Sequence, residues 1–268
     1  MELITMHTHS TFCNHAKDPL VDMVQAAVDA GIAHMAATEH YPIPDELDPS
    51  KRSTMPIERL EPYIEAVREQ QKRTDIDVLL GCELDWLGDD ETRELHASDF
   101  DRFDIVLGSV HFVDRWLMVS HKHMSRWKSI DLEAFWNRYV ELWCNAAKSD
   151  MPFTVMAHPD VVKKFSPAPD FDVEPLYARM ARAAREGGRM VEVNTSGAYA
   201  ECGEFYPSPQ LLQAFCAEGV PCTVGTDAHA KEHIARDIEK AYGYMRQAGY
   251  TQVAVPTRGR GVRMVDLD

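Results

Sequence analysis

No stretch of this 268-residue chain approaches the roughly 18 consecutive apolar positions a membrane helix needs, which excludes a spanning segment. The opening residues, Met1 to His7, have neither a basic region nor a long apolar one, so no secretory leader is expected and a cytoplasmic location is. Basic residues are scarce: 28 Lys and Arg stand against 43 Asp and Glu, a net charge of -15. No basic cluster is long, Arg258 and Arg260 being a tail feature at most, so a surface that tracks nucleic-acid phosphates is excluded. The six cysteines, Cys13, Cys82, Cys144, Cys202, Cys216 and Cys222, include no CxxC pair and mostly sit inside apolar runs, the pattern of reduced core thiols. Internal repeats, low-complexity tracts and Gly/Ser linkers are also missing, so residues 1–268 are expected to form a single domain. At 45% hydrophobic the chain can bury a full core, and its length is normal for one α/β barrel.

What is present is an alternation of short β-like runs and helical patterns, the mark of parallel strands joined by crossover helices. About seven units are expected. The predicted strands are Glu2 to Met6, Ala33 to Thr38, Asp77 to Glu83, Asp104 to Val110, Phe153 to Ala157, Arg189 to Asn194 and Pro221 to Thr226. Gln252 to Pro256 is either an eighth strand or an edge extension. Asp18-Pro19 is predicted to cap and open a first helix that Gly31 closes. The same punctuation frames Asp172 to Glu186 and Ser208-Pro209 to Glu218, while Asp131 to Ala147 and Glu232 to Gln247 read as longer amphipathic helices. Tyr41 to Met55 and Asp85 to Asp101 read as long loops at the rim of the site.

Nine side chains of metal-ligating type, nearly all of them closing one of these runs, stand out: His7, His9, His15, His40, Glu83, His111, His158, Asp227 and His229. Imidazole and carboxylate hold zinc, manganese or iron, and parallel strand ends gather residues distant in sequence onto one face. His7 and His9 flank Thr8, so strand alternation aims both rings the same way. One histidine ending a strand means little; five successive runs plus Asp227-Ala228-His229 obeying one rule indicate a polynuclear metallohydrolase. His34, His96, His121, His123 and His233 break the rule and read as ordinary residues, the His121-Lys122-His123 loop being a substrate contact or solvent-exposed. Glu39 should face away from His40 as a supporting or packing residue, Asp85 and Trp86 should either support and wall the pocket or pack in the core or rim, and Asn194 either bonds substrate or forms a turn before Thr195-Ser196-Gly197.

With His7-Thr8-His9, Thr38-Glu39-His40, Gly81-Cys82-Glu83, Ser109-Val110-His111, Ala157-His158-Pro159 and Asp227-Ala228-His229 in order, the chain resembles the polymerase and histidinol phosphatase (PHP) family over essentially its whole length. Glu192 to Gly197 and Tyr206-Pro207-Ser208 resemble its monofunctional histidinol-phosphate phosphatases. The resemblance implies a distorted, TIM-like (β/α)7 barrel with a trinuclear centre at the carboxyl ends of the strands. One ion would take His7, His9, Glu83 and Asp227; a second Glu83, His111 and His158; a third His15, His40 and His229. Two positions depart from the pattern. Thr5 stands where an aspartate is usual, and Tyr199 where an arginine would grip the phosphate.

The expected activity is hydrolysis of a small phosphate monoester, foremost L-histidinol phosphate, by hydroxide held between two of two or three divalent ions. Asp227 or His229 would supply the leaving-group proton, Asp160 would meet the substrate ammonium, and Lys163 or Lys164 the phosphate, with Asn194 and Tyr199 as further contacts. A nucleotide, sugar or cyclic phosphate, or an amidohydrolase-type reaction, are the alternatives. Exposed apolar helix faces leave a homo-oligomer open.

Overall fold

The protein is described by a computed structural model that covers residues 1–94 and 100–267. Seven parallel strands form its centre: β1 (Leu3–Thr5), β2 (Ile32–Ala37), β3 (Asp77–Asp85), β4 (Ile105–Ser109), β7 (Val155–Met156), β8 (Met190–Asn194) and β9 (Cys222–Gly225), hydrogen-bonded in that order. The edges meet as well, because Met6 N–H donates to Val224 O at 2.8 Å and Asp227 N–H to His7 O at 2.9 Å, which brings the sheet round into a distorted (β/α)7 barrel. All seven predicted strands are found, most of them shorter than their apolar runs. The runs overshoot because apolar residues persist past the last ladder bond, where the chain turns toward the site.

Around the barrel lie α1 (Leu20–Asp29), α2 (Leu60–Gln70), α4 (Leu132–Lys148), α5 (Glu174–Glu186), α6 (Pro209–Ala217) and α7 (Ile238–Ala248), with the short α3 (Asp89–Glu94) between β3 and β4. Each longer helix buries one apolar stripe; α4 sinks Trp136, Tyr139, Val140 and Trp143 into the core. Asp131 caps α4 by accepting the Ala134 N–H at 3.0 Å. Among the described residues no helix is long and apolar enough to cross a membrane.

Four sequence expectations need correction. Pro19 itself holds the N-cap position of α1, and Asp18 instead accepts the Lys231 N–H at 3.0 Å, joining the loop after β9 to the start of α1. The last helix begins at Ile238, because Asp237 in a left-handed conformation (φ 58°) breaks it from the short 3-10 turn Lys231–His233. Gln252 to Pro256 is no barrel strand: β10 (Gln252–Thr257) pairs antiparallel with β11 (Gly261–Asp266) in a separate hairpin. Between Asp85 and Asp101 the chain is partly helical in α3, while residues 95–99, His96 among them, lie outside the described residues. A second small hairpin, β5 (Phe112–Val113) with β6 (Trp116–Leu117), follows β4 on the site face.

Candidate metal centre

The carboxyl ends of the strands converge on one knot, buried at His7, His9, Glu83, His111 and His158 and opening to solvent at His15. Beyond β1, Thr8 turns outward and its hydroxyl donates to Ala36 O at 2.7 Å, so His7 and His9 face inward with their Nε2 atoms 3.0 Å apart. An isolated parallel bridge, His40 to Glu83, extends the β2–β3 pairing and sets His40 Nδ1 2.9 Å from Glu83 Oε2. Glu83 Oε1 reaches His158 Nε2 at 2.9 Å, and Asp227 Oδ1 lies 3.3 Å from His9 Nε2. His111 Nε2 is 3.3 Å from His158 Nε2, and His15 Nε2 is 2.9 Å from His229 Nε2. The nine candidate ligands, eight near strand ends and His15 from the loop after the Thr11–Cys13 turn, are therefore neighbours in space. Groups such as His7 with Glu83 and His158, His7 with His9 and Asp227, and His9 with His40 and His229 each place three ligand atoms within 4.8 Å of one another.

Hydrogen-bond chemistry explains what those close nitrogens need. His15 Nδ1 lies 2.9 Å from Cys13 O and His229 Nδ1 2.9 Å from Asp227 O. A carbonyl only accepts, so both Nδ1 atoms carry hydrogen and both neutral rings present an Nε2 lone pair to the other. Two lone pairs at 2.9 Å repel unless a cation, proton or metal ion, sits between them. His7 and His111 are held in the same tautomer by carboxylates: Glu192 Oε1 is 3.0 Å from His7 Nδ1, and Asp85 Oδ1 is 3.0 Å from His111 Nδ1. A ring anchored at Nδ1 by an acceptor, with Nε2 free to ligate, is the usual state of a metal-binding histidine, so the donor set fits divalent ions.

Charge in the knot is strongly coupled. Burial opposes the imidazolium of His7, but Glu192, Asp227 and Glu83 outweigh it and raise its pKa to about 10. Burial likewise opposes ionisation of Glu83 and Asp227, yet the surrounding imidazoles hold both carboxyls well below their usual range. His229 is pushed well below the ordinary imidazole range by burial and by His9. Two of the site residues sit in uncommon backbone conformations, His158 at φ 24° and Asp227 at φ 50°. Such strain is tolerated where surrounding bonds over-determine it, and here the His158 N–H is aimed at Glu192 Oε1, 2.8 Å away.

Glu192 is the functional residue the sequence reading overlooked. It is wholly buried mid-strand in β8 and accepts from the His158 N–H, from Asn194 Nδ2 at 2.9 Å and from His7 Nδ1. Its one signal was a carboxylate inside the apolar run Met190 to Asn194, on the same face as Asn194. It also accounts for Thr5, whose hydroxyl meets Thr226 Oγ1 at 2.9 Å to tie β1 to β9 while β8 supplies the carboxylate behind His7. Gly225 is fixed by the same approach: a Cβ there would lie 2.3 Å from Glu192 Oε2 and 2.6 Å from His7 Cβ.

The substrate-side residues divide. Lys164 and Tyr199 line a cleft of about 490 Å³ that opens on His111, His158, Asp227 and His229, a size suited to a small ester. Tyr199 donates its hydroxyl to Asp237 Oδ2 at 2.7 Å, with the Arg236 guanidinium 4.0 Å from its ring centre. Asp160 and Lys163 do not face the cleft, contrary to expectation. Asp160 is buried, accepts the Ser208 N–H and pairs with Lys163, which also donates to Phe205 O. Both contacts fall on Asp160 Oδ2, while Oδ1 has no hydrogen-bond partner among the described residues. Asn194 is equally committed: Oδ1 accepts the Ser196 N–H and hydroxyl, and Nδ2 donates to Glu192 and to Asp227 Oδ2, so the turn-forming reading describes it.

Among the remaining expectations, Glu39 lies on the far side of the strand from His40 but brings its carboxylate within 4.8 Å of ligand atoms of His9 and Cys13 and accepts the Ser10 N–H at 2.7 Å, Asp85 supports His111, and Trp86 packs in the core beside Phe153. His121 lines the cleft edge-on to Phe165, whereas His123 is exposed and reaches Leu117 O. His34 joins a surface cluster with Asp77 and Arg263, and His233 lies in the 3-10 turn before α7.

Comparison with known proteins places this geometry. The family profile described as PHP domain matches residues 5–196. A Deinococcus radiodurans protein named "Probable histidinol-phosphatase" is 32% identical over 251 residues, 92% of this chain and 94% of that one. A Schizosaccharomyces pombe protein of the same name is 24% identical, covering 96% and 90%. The crystal structure of histidinol phosphate phosphatase from Lactococcus lactis, complexed with zinc, L-histidinol and phosphate, superposes with a TM-score of 0.78 at 19% identity, covering 98% of this chain and 99% of that one, a likeness that shows the fold.

Proposed function

The chain belongs to the PHP domain family, and from that premise we propose that it is a metal-dependent phosphatase that hydrolyses L-histidinol phosphate. The observation that carries the reading is the knot of seven imidazoles, Glu83 and Asp227, with Glu192 and Asp85 anchoring two of the rings from behind. The relatives' names support the substrate, and the zinc, L-histidinol and phosphate of the Lactococcus structure support the chemistry. We further propose three ions, zinc, manganese or iron. One is assigned to His7, His9, Glu83 and Asp227, one to Glu83, His111 and His158, and one to His15, His40 and His229. Six cysteines without disulfides suit a reducing, cytoplasmic setting.

Bound there, the ions supply Lewis-acid activation of water and of the phosphoryl oxygens. The chain's own residues do the rest. Lys164, lining the cleft beside Asp227, offers its ammonium to the ester phosphate. Asp227 is oriented by Asn194 Nδ2 at 3.3 Å and the Ser196 hydroxyl at 3.2 Å, both donating to Oδ2. Kept ionised by the imidazoles, it is suited to take a proton from water and return it to the leaving oxygen. His229, 3.5 Å from Asp227 Oδ1, is the second group through which that proton could pass.

Phosphate release from L-histidinol phosphate by metal-loaded protein tests the reading, with a panel of other phosphomonoesters alongside. The wild type should reach kcat/KM of ~10⁴ M⁻¹s⁻¹ or above on this ester. Asp227→Asn should remove turnover while circular dichroism and Tm stay near the wild type. A stronger preference for another ester overturns the substrate, and undiminished activity of D227N overturns the role of Asp227.

A further inference from the structure

The cleft over the metal centre has two lobes that differ in the charged residues at their rims. Both lobes share His111, His158, Lys164, Asp227 and His229. One is walled by Arg52 and Lys122 among the hydroxyls of Ser50, Ser53 and Thr54. Its loop is built rather than loose, because Asp48 accepts the N–H groups of Arg52, Ser53 and Thr54. The other lobe is walled by Phe165, Tyr199 and Tyr206, with Glu201 at its rim.

Nearly every carboxylate around this second lobe is already engaged. Asp160 and Glu204 both pair with Lys163, at 3.1 and 3.4 Å. Asp237 accepts from Tyr199 and pairs with Lys240. Asp227 holds Asn194 and Ser196. Glu201 is the exception: it lines the cleft from an exposed position, and among the described residues it makes no hydrogen bond and no ion pair. An exposed carboxylate without a counter-ion, at the rim of a lobe that carries Phe165, Tyr199 and Tyr206 and opens on the metal centre, can receive a cation.

Resting on the histidinol-phosphate reading, we propose that the leaving alcohol occupies the aromatic lobe and that Glu201 receives its ammonium group. Arg52 and Lys122 at the rim of the opposite lobe disfavour that group there and so help to orient the substrate: phosphate at the metal centre and Lys164, amine toward Glu201, ring between the aromatic walls. Glu201 is then the specificity residue for an amine-bearing ester. It takes the role that the sequence suggested for Asp160.

The test compares wild type with Glu201→Gln and Glu201→Asp on L-histidinol phosphate, on p-nitrophenyl phosphate, and on the matched pair 2-aminoethyl phosphate and ethyl phosphate. E201Q should lose about 10-fold or more in kcat/KM on both amine-bearing esters, mainly through KM, the size of one charge-assisted hydrogen bond. The amine-free esters should change by no more than about 2-fold, and E201D should recover part of the loss. Equal effects on all four esters, or none on the amine-bearing ones, overturn the proposal. If the wild type leaves L-histidinol phosphate untouched, the functional reading falls by itself and Glu201 is judged on the matched pair.

Discussion

At the scale of single residues, the site depends on side chains that touch no ligand position. Glu192 meets three donors at once: the ring of His7, the backbone of His158 and the amide of Asn194. Glu192→Gln would bring an NH₂ group into a space where every neighbour already donates, and would leave His7 without its ionic anchor. We expect metal affinity ~10–100-fold weaker, the range found when such an outer partner is lost. Competition with a chromophoric chelator reads this directly, and an unchanged affinity would show that Glu192 merely packs. Residue-level legibility followed the same division. The nine candidate ligands are legible because nearly all of them close an apolar run, whereas Asp160 and Lys163 mislead because sequence does not reveal which partners a buried polar pair has found.

Among the elements, the strands were more legible than their connections. A run of β-branched and apolar residues bounded by polar turns suffices to mark a buried parallel strand. Helix α2 and the late start of α7 were missed because their boundaries depend on local backbone conformations, such as the left-handed Asp237, that composition does not encode. One residue at the start of β8's run shows how elements lock together. Arg189 sends its guanidinium to three carbonyls, Ala147 O at 2.8 Å, Phe153 O at 2.6 Å and Ser149 O, joining the end of α4 and the approach to β7 to the edge of β8. Arg189→Met should orphan those carbonyls and cost about 2–4 kcal/mol, a fall in Tm of about 5–15 °C for a domain of this size. The kcat of the folded fraction should stay at the wild-type value; a Tm within about 2 °C of wild type would refute the account.

For the whole molecule, the central fact is a concentration of carboxylates and imidazoles at one end of a barrel whose net charge is -15. Protons and metal ions compete for the same nitrogens. The His7 pKa is raised from its ordinary 6.5 to about 10, so in the metal-free protein its contribution to stability is fully present below about 6.5 and is lost as the pH rises through about 10. Metal must displace that proton, so apparent metal affinity should climb as the pH rises toward 10. Calorimetric titration at neutral pH in two buffers of different ionisation enthalpy should report proton release on binding. Zero net release would contradict the charge state assigned to His7.

Seven strands and the side chains gathered near their ends are legible from the chain alone, because a short apolar run bounded by polar turns is a local property; the distorted seven-stranded barrel follows from the family resemblance. Tertiary structure decided which groups meet across it: Glu192 behind His7, the engagement of Asp160 by Lys163 and Ser208, the freedom of Glu201, and the hairpin made of the last two strands. Those outcomes depend on distances between residues far apart in the chain, which only closure of the barrel sets.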